Sequence, residues 1–205
     1  MPAPGSRAEQ RAATHERLLS AALDVLRANG VGQLSTLAVQ KAAGASRGAM
    51  LHHFPTRGDL LREVIGRIVD ANEAAVEAAL ARTADGDVVE RAVRALLTAA
   101  QSDSAMVEME MWLAARTNPE LRADLVTAER AAGRDLERVL SRAFGPDLAA
   151  HPSFPLVSAM TLALVRGLSI GQVLRRSTAS TDAAIRQWSA LARDMLHTTT
   201  QGATP

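Results

Sequence analysis

Along almost the whole chain, apolar residues recur every three to four positions and almost nowhere every two. The first spacing marks an amphipathic helix and the second a half-buried strand, so the chain is expected to be all-α. Leu18, Leu19, Ala22, Leu23 and Leu26 form one such stripe, and Leu60, Leu61, Val64, Ile65, Ile68, Val69, Val76 and Leu80 form a longer one. Caps and breakers divide the pattern into about nine helices. Ser6 with Glu9 can form a capping box for the first, which Asn29 and Gly30 stop. Ser35 caps a second through about Ala43, Gly44 permits a left-handed turn, and Ser46 caps a short third that ends before Pro55. Thr56 and Asp59 box the start of a fourth helix with no breaker but Gly66 before about Asp85. Further helices are expected over 87–101, 103–117, 119–144, 155–176 and 181–198. Asn118 caps the 119–144 helix, with Pro119 at its first position.

The composition suits this fold and removes several chemistries. The 205 residues include 13 Gly and 8 Pro, with 22% charged and 47% apolar, which is too apolar for a disordered chain. No Cys occurs, which excludes a disulfide scaffold, a thiolate zinc site and a cysteine nucleophile. With three Phe, two Trp and no Tyr, a platform for stacking single-stranded bases has little to stack on, and Ala and Leu must fill the core. Residues 1–10 hold no apolar run of signal-peptide length, so a cytoplasmic location is expected. The segment 154–174 is apolar enough to raise a membrane reading, but Arg166 at its centre argues against one. There is no internal repeat.

Charge is uneven. Residues 1–60 carry seven Lys or Arg against four acids, a balance of +3, and the remainder is slightly acidic. That asymmetry favours a nucleic-acid partner only weakly on its own. The stretch Leu34 to Pro55 says more: it reads as a helix, a glycine turn and a second short helix, the order of a helix-turn-helix. The second helix opens on Ser46, Arg47, Gly48 and Ala49. Small residues let its backbone approach a groove closely, free amides at its start favour phosphate, and Arg47 can fork onto guanine or hold a phosphate oxygen. The bland alternative is a solvated arginine on an exposed turn.

The string Ala43-Gly44-Ala45-Ser46, Gly48, His53-Phe54, then Arg57, Asp59, Leu60 and Leu61, resembles the amino-terminal domain of the TetR family of transcriptional repressors. The likeness covers residues 35–61, or about 50 residues with the first helix. It implies that Ser35 and Thr36 hold phosphate, that Arg47 and Ala49 enter the major groove with their helix, and that Arg57 takes a phosphate contact usually made by lysine. Ser46, Gly48, Leu51, His52 and His53 complete the candidate DNA-binding set. Two positions depart from the family pattern. Leu51 stands where a phosphate-binding Tyr is common and can offer only a thymine-methyl contact or packing, and Leu37 and Ala38 replace a polar pair. His52 and His53 do not form a metal site, since adjacent helical residues point apart and no Cys, Asp or Glu lies at ligand spacing. His52 is expected to meet phosphate and His53 to pack beside Phe54, which with Met50 reads as core.

The resemblance further implies a carboxy-terminal domain that dimerises and often binds a small molecule. The expected division is a DNA-binding domain over 1–56, with residues 1–8 disordered, a ligand-binding and dimerisation domain over 57–198, and a tail over 199–205. Ala159, Ala163, Gly167 and Gly171 fall every four residues and make a smooth strip for close helix approach. Ile185, Trp188, Leu191, Ala192 and Met195 lie at helical spacing on the next helix. Together they are the candidate dimer interface, the alternative being an internal helix pair. Met106, Met109, Trp112 and Leu113, with Arg116 a turn beyond, could line a pocket for an apolar or amphipathic effector, with Leu96, Met160 and Leu164 as opposite walls. Such a stripe can equally be plain core. No nucleophile, base and orienting acid can be grouped, so an enzyme is not expected, nor a cofactor. The expected function is a homodimeric regulator binding near-palindromic double-stranded DNA, a repressor released by an effector. The alternatives are a ligand-independent regulator and, remotely, an all-α enzyme.

Overall fold

The computed structural model describes residues 6–82, 86–174 and 178–197. All regular structure among them is helical: α1 (Arg7–Asn29), a 3-10 turn (Val31–Gln33), α2 (Thr36–Ala42), α3 (Arg47–His53), α4 (Arg57–Arg82), α5 (Val88–Ala100), α6 (Asp103–Ala115), α7 (Pro119–Phe144), α8 (Pro146–Ala149), α9 (Phe154–Gln172) and α10 (Ala179–His197). The caps fall where the residue types demand. The Glu9 N–H donates to Ser6 Oγ at 3.3 Å while the Ser6 N–H donates to Glu9 Oε2 at 2.6 Å, the reciprocal capping box. Residues 6–8, expected to be disordered, are therefore ordered. The Leu121 N–H likewise donates to Asn118 Oδ1 at 3.1 Å. The rest of the expected disordered start, 1–5, and the tail 199–205 lie outside the described residues.

Packing divides the chain into two compact units, Met1–Asp70 with Asp103–Ala132, and Ala71–Ser102 with Gly133–Pro205. In the first unit, α1, α2, α3 and the start of α4 close around Leu18, Leu26, Leu34, Met50, Phe54, Leu60 and Leu61, all fully buried. Each such side chain contributes about 1.5–3 kcal/mol by leaving water. The same core takes Val107, Met111 and Ala115 from α6 and Leu121 and Leu125 from α7. The sequence division at residue 56 is thus not the packing boundary, because α6 joins the head.

In the second unit, α5 packs on α9 and α10, and α9 packs on α10. Its core holds Ala92, Val93, Leu96, Phe144, Phe154, Val157, Val165, Ile185, Ala192 and Leu196. The Phe144 and Phe154 rings meet edge-on at 5.5 Å. The α9 helix is long and apolar enough to cross a membrane by composition, but Val157, Thr161, Val165 and Ser169 are buried inside this unit. Ion pairs fasten the rim. Arg94 reaches Asp182 at 2.9 Å, Arg193 reaches Asp87 at 2.9 Å, and Glu73 accepts two bonds from Arg138 at 3.0 Å. Exposed pairs of this kind contribute roughly 0–1 kcal/mol each.

Candidate nucleic-acid interface

The start of α2 is fixed by Ser35, whose Oγ accepts the Ala38 N–H at 3.1 Å. After α2 the chain reverses at Gly44, with φ of 59°, a conformation that residues with a Cβ rarely adopt. Ser46 then caps α3, its Oγ accepting the Ala49 N–H at 3.1 Å. A seven-residue helix cannot hold itself in water, so α3 depends on its inner side, where Met50 is buried and Phe54 is 0% exposed. With that side anchored, Arg47, Gly48, Leu51 and His52 share the solvent face.

Thr56 and Asp59 fix the start of α4 reciprocally: the Thr56 N–H and hydroxyl donate to Asp59 Oδ2 at 3.0 and 2.7 Å, and the Asp59 N–H donates to Thr56 Oγ1 at 3.1 Å. The Thr56 hydroxyl, and then Arg62, hold the Asp59 carboxyl below its ordinary range. His53 is half-buried, with its ring 5.4 Å from those of both His15 and His52. Burial, then His15, His52 and Arg11, lower its proton affinity, and Glu63 opposes them.

Of the candidate DNA-binding residues, Ser35, Ser46, Arg47, Gly48, Leu51 and His52 are exposed, and Thr36, Ala49, His53 and Arg57 are half-buried. Leu51 is 45% exposed, so it is not core. Arg47 and Lys41 form no ion pair among the described residues, leaving two cations on the helix-turn-helix itself. The Arg57 Nε is buried without a hydrogen-bond partner. No group of His, Asp or Glu among the described residues is arranged to hold a metal.

The other two candidate sets are rearranged. Ile185 (1% exposed) and Ala192 (0%), expected at a dimer surface, are buried in the core of the second unit, because the richer apolar stripe of α10 turns inward. Trp188 and Met195 are partly buried against that core, and the Trp188 indole N–H donates to Thr161 Oγ1 at 2.9 Å. Ala159, Ala163, Gly167 and Leu191 do face solvent, with Gly171 half-buried. Sequence reasoning missed that Leu156, Met160 and Ile170 are exposed on α9 as well, a broader apolar face than the small-residue strip signals.

The candidate pocket set is divided between the units. Met106, Met109, Trp112, Leu113 and Arg116 belong to the first, whereas Leu96, Met160 and Leu164 belong to the second. Leu113 (67% exposed) and Met160 (49%) face solvent. Leu96 is core of the second unit, and Trp112 packs on the core of the first.

A trihelical head that turns a small, cationic face of its last short helix to solvent defines a helix-turn-helix protein. Residues 18–64 of this head match the family model described as bacterial regulatory proteins, tetR family. Over 127 residues it is 32% identical to the HTH-type transcriptional regulator CymR of Pseudomonas putida. That alignment covers 61% of this chain and 63% of the relative, so the chain spans less than two thirds of the curated protein it matches. Among solved structures, the multidrug binding protein EbrR complexed with imidazole superposes with a TM-score of 0.62 at 21% identity, over 91% of this chain and 97% of that one. A transcriptional regulator from Rhodococcus sp. Rha1 gives 0.56 at 22% identity, over 89% and 93%. At these identities the likeness is one of fold.

Proposed function

We propose that the protein is a homodimeric, sequence-specific double-stranded DNA-binding regulator, a cytoplasmic repressor released by a small apolar or amphipathic effector. The observation that carries this reading is the solvent face of α3, where Arg47, Gly48, Leu51 and His52 stand together behind the Ser46 cap on a head of the matched family. Arg47 forms no ion pair among the described residues, so its fork is available to guanine or phosphate. Ser35 and Thr36 at the start of α2 and Arg57 at the start of α4 supply positioning contacts to the backbone, which fix register and carry no sequence preference.

The face of α9 supports two-fold association. Leu156, Met160 and Ile170 flank the smooth Ala159, Ala163 and Gly167 strip, and Leu191 of α10 adds to the exposed apolar area. A patch of this kind on a soluble chain marks an association surface, and in a twofold dimer the same patch serves both partners. Two recognition helices in successive major grooves would require half-sites about 34–36 Å apart.

Release is assigned to α6. Its Val107, Met111 and Ala115 are part of the core that holds the head, so an effector engaging Met106 and Trp112 would act on that packing. Its effect cannot exceed its differential affinity for the DNA-competent and released arrangements. The similarly folded EbrR is a multidrug binding protein, with complexes of proflavin and malachite green, which is the type of ligand chemistry this reading calls for. The family is one of regulators, so the enzyme alternative has no support from it.

Footprinting of the DNA upstream of the coding sequence tests the reading. A protected, near-palindromic site over random competitor is the expected result, and equal affinity for all fragments would reject it. A compound screen by thermal shift then finds the effector, because a ligand that binds only the folded state raises the midpoint.

A further inference from the structure

Beside α3 lies a groove that the reading above leaves unused. It has a volume of about 740 Å³ and is walled by Arg7 and Arg11 of α1, His52 and His53 of α3, and Glu63 of α4. Its charges are unequally committed. Glu63 is engaged by His15 at 2.9 Å, and Glu16, also on the wall, is engaged by Arg67. Arg7 and Arg11 are exposed and form no ion pair among the described residues. They stand one helical turn apart on the same face of α1. Burial lowers the proton affinity of His53 first, and the neighbouring His15, His52 and Arg11 lower it further, against Glu63.

The groove is also continuous with the surface already described, since His52 belongs to its wall and to the outward face of α3. Its cations are exposed and not walled in, which suits a long polyanion lying across them better than a small ion that would need enclosing ligands.

We infer that this groove seats the sugar-phosphate backbone of duplex DNA alongside the stretch read by α3, with Arg7 and Arg11 each neutralising one phosphate. The inference rests on the DNA-binding reading and adds to it a contact that supplies affinity and no sequence preference.

The test is the full-length Arg7→Ala/Arg11→Ala double variant, with an unchanged thermal midpoint as the control for folding. Affinity is measured across a salt series on the footprinted fragment and on a random duplex of equal length. The expected result is a plot of log affinity against log salt that is flatter by about 1.8 on both duplexes, from roughly 0.9 per phosphate. The ratio between the two duplexes should stay within about twofold of the parent's. An unchanged slope, or a loss confined to the footprinted fragment, overturns the assignment. So does efficient displacement of the random duplex by inorganic phosphate at constant ionic strength, which would mark a free-anion site. If the parent shows no preference between the duplexes, the reading of α3 fails, while the slope on the random duplex still decides this groove.

Discussion

The outward faces of α3 and α9 are both left uncovered, and they are built on opposite plans. On α3 the face is short, cationic and small, with one exposed leucine among Arg47, Gly48 and His52, and its geometry is imposed from below by Met50 and Phe54. On α9 the face is long and apolar, from Leu156 through Met160 to Ile170, and needs no positioned hydrogen bond. A surface that discriminates among base edges depends on where few atoms are held, and one that associates with a copy of itself depends on area and smoothness. Loss of a buried anchor should therefore damage the first, while an inserted charge should damage the second.

The largest expected effect tests the anchoring of α3. Phe54→Ala should destabilise the first unit by about 3–5 kcal/mol, read by chemical denaturation, because it empties a fully buried ring site. A cost under 1 kcal/mol would mean that α3 is not held from below. Next, Met160→Asp should weaken self-association by about 2–4 kcal/mol, since a twofold interface carries each substitution twice. Sedimentation reads this, and an unchanged dimer would show that α9 is not the seam. Smaller again, Arg47→Ala should weaken binding to the footprinted site by about 1–3 kcal/mol with little change on random DNA. Removing the cap by Ser46→Ala should cost about 1 kcal/mol of stability.

The smallest effect is one of pH. The folded head holds His53 less protonated than the unfolded chain, whose imidazole has the ordinary value of 6.5. The unfolded state therefore binds the proton more readily, and stability is fullest above that value and declines as pH falls through the lowered folded one. Thermal midpoints at pH 7.5 and pH 5.5 should differ in that direction for the parent, and the difference should shrink in His53→Gln. A midpoint that rises on acidification would contradict the arrangement.

The head was more legible in the sequence than the rest for a local reason. Ser35, Gly44, Ser46 and the Thr56–Asp59 box act within three or four residues of themselves, so residue type alone places the turn and both caps. By contrast, Ile185 and Ala192 lie on a stripe whose period is plain, yet period does not say whether the stripe meets its own chain or another. The placement of α6 against the head is non-local and could not be read from Met106 and Trp112. The four-residue α8 after Gly145 went unseen, being shorter than any periodic signal. Leu51 shows the limit at the site itself: its exposure decides against packing, a choice the sequence left open.

The two indoles of this chain fall one in each unit, Trp112 on α6 and Trp188 on α10, and there is no tyrosine to add background emission. Replacing either one leaves a single native fluorophore that reports on the head or on the helical body alone. Equilibrium melting, effector capture and stopped-flow release from DNA could then be timed separately in the two halves without attaching a dye.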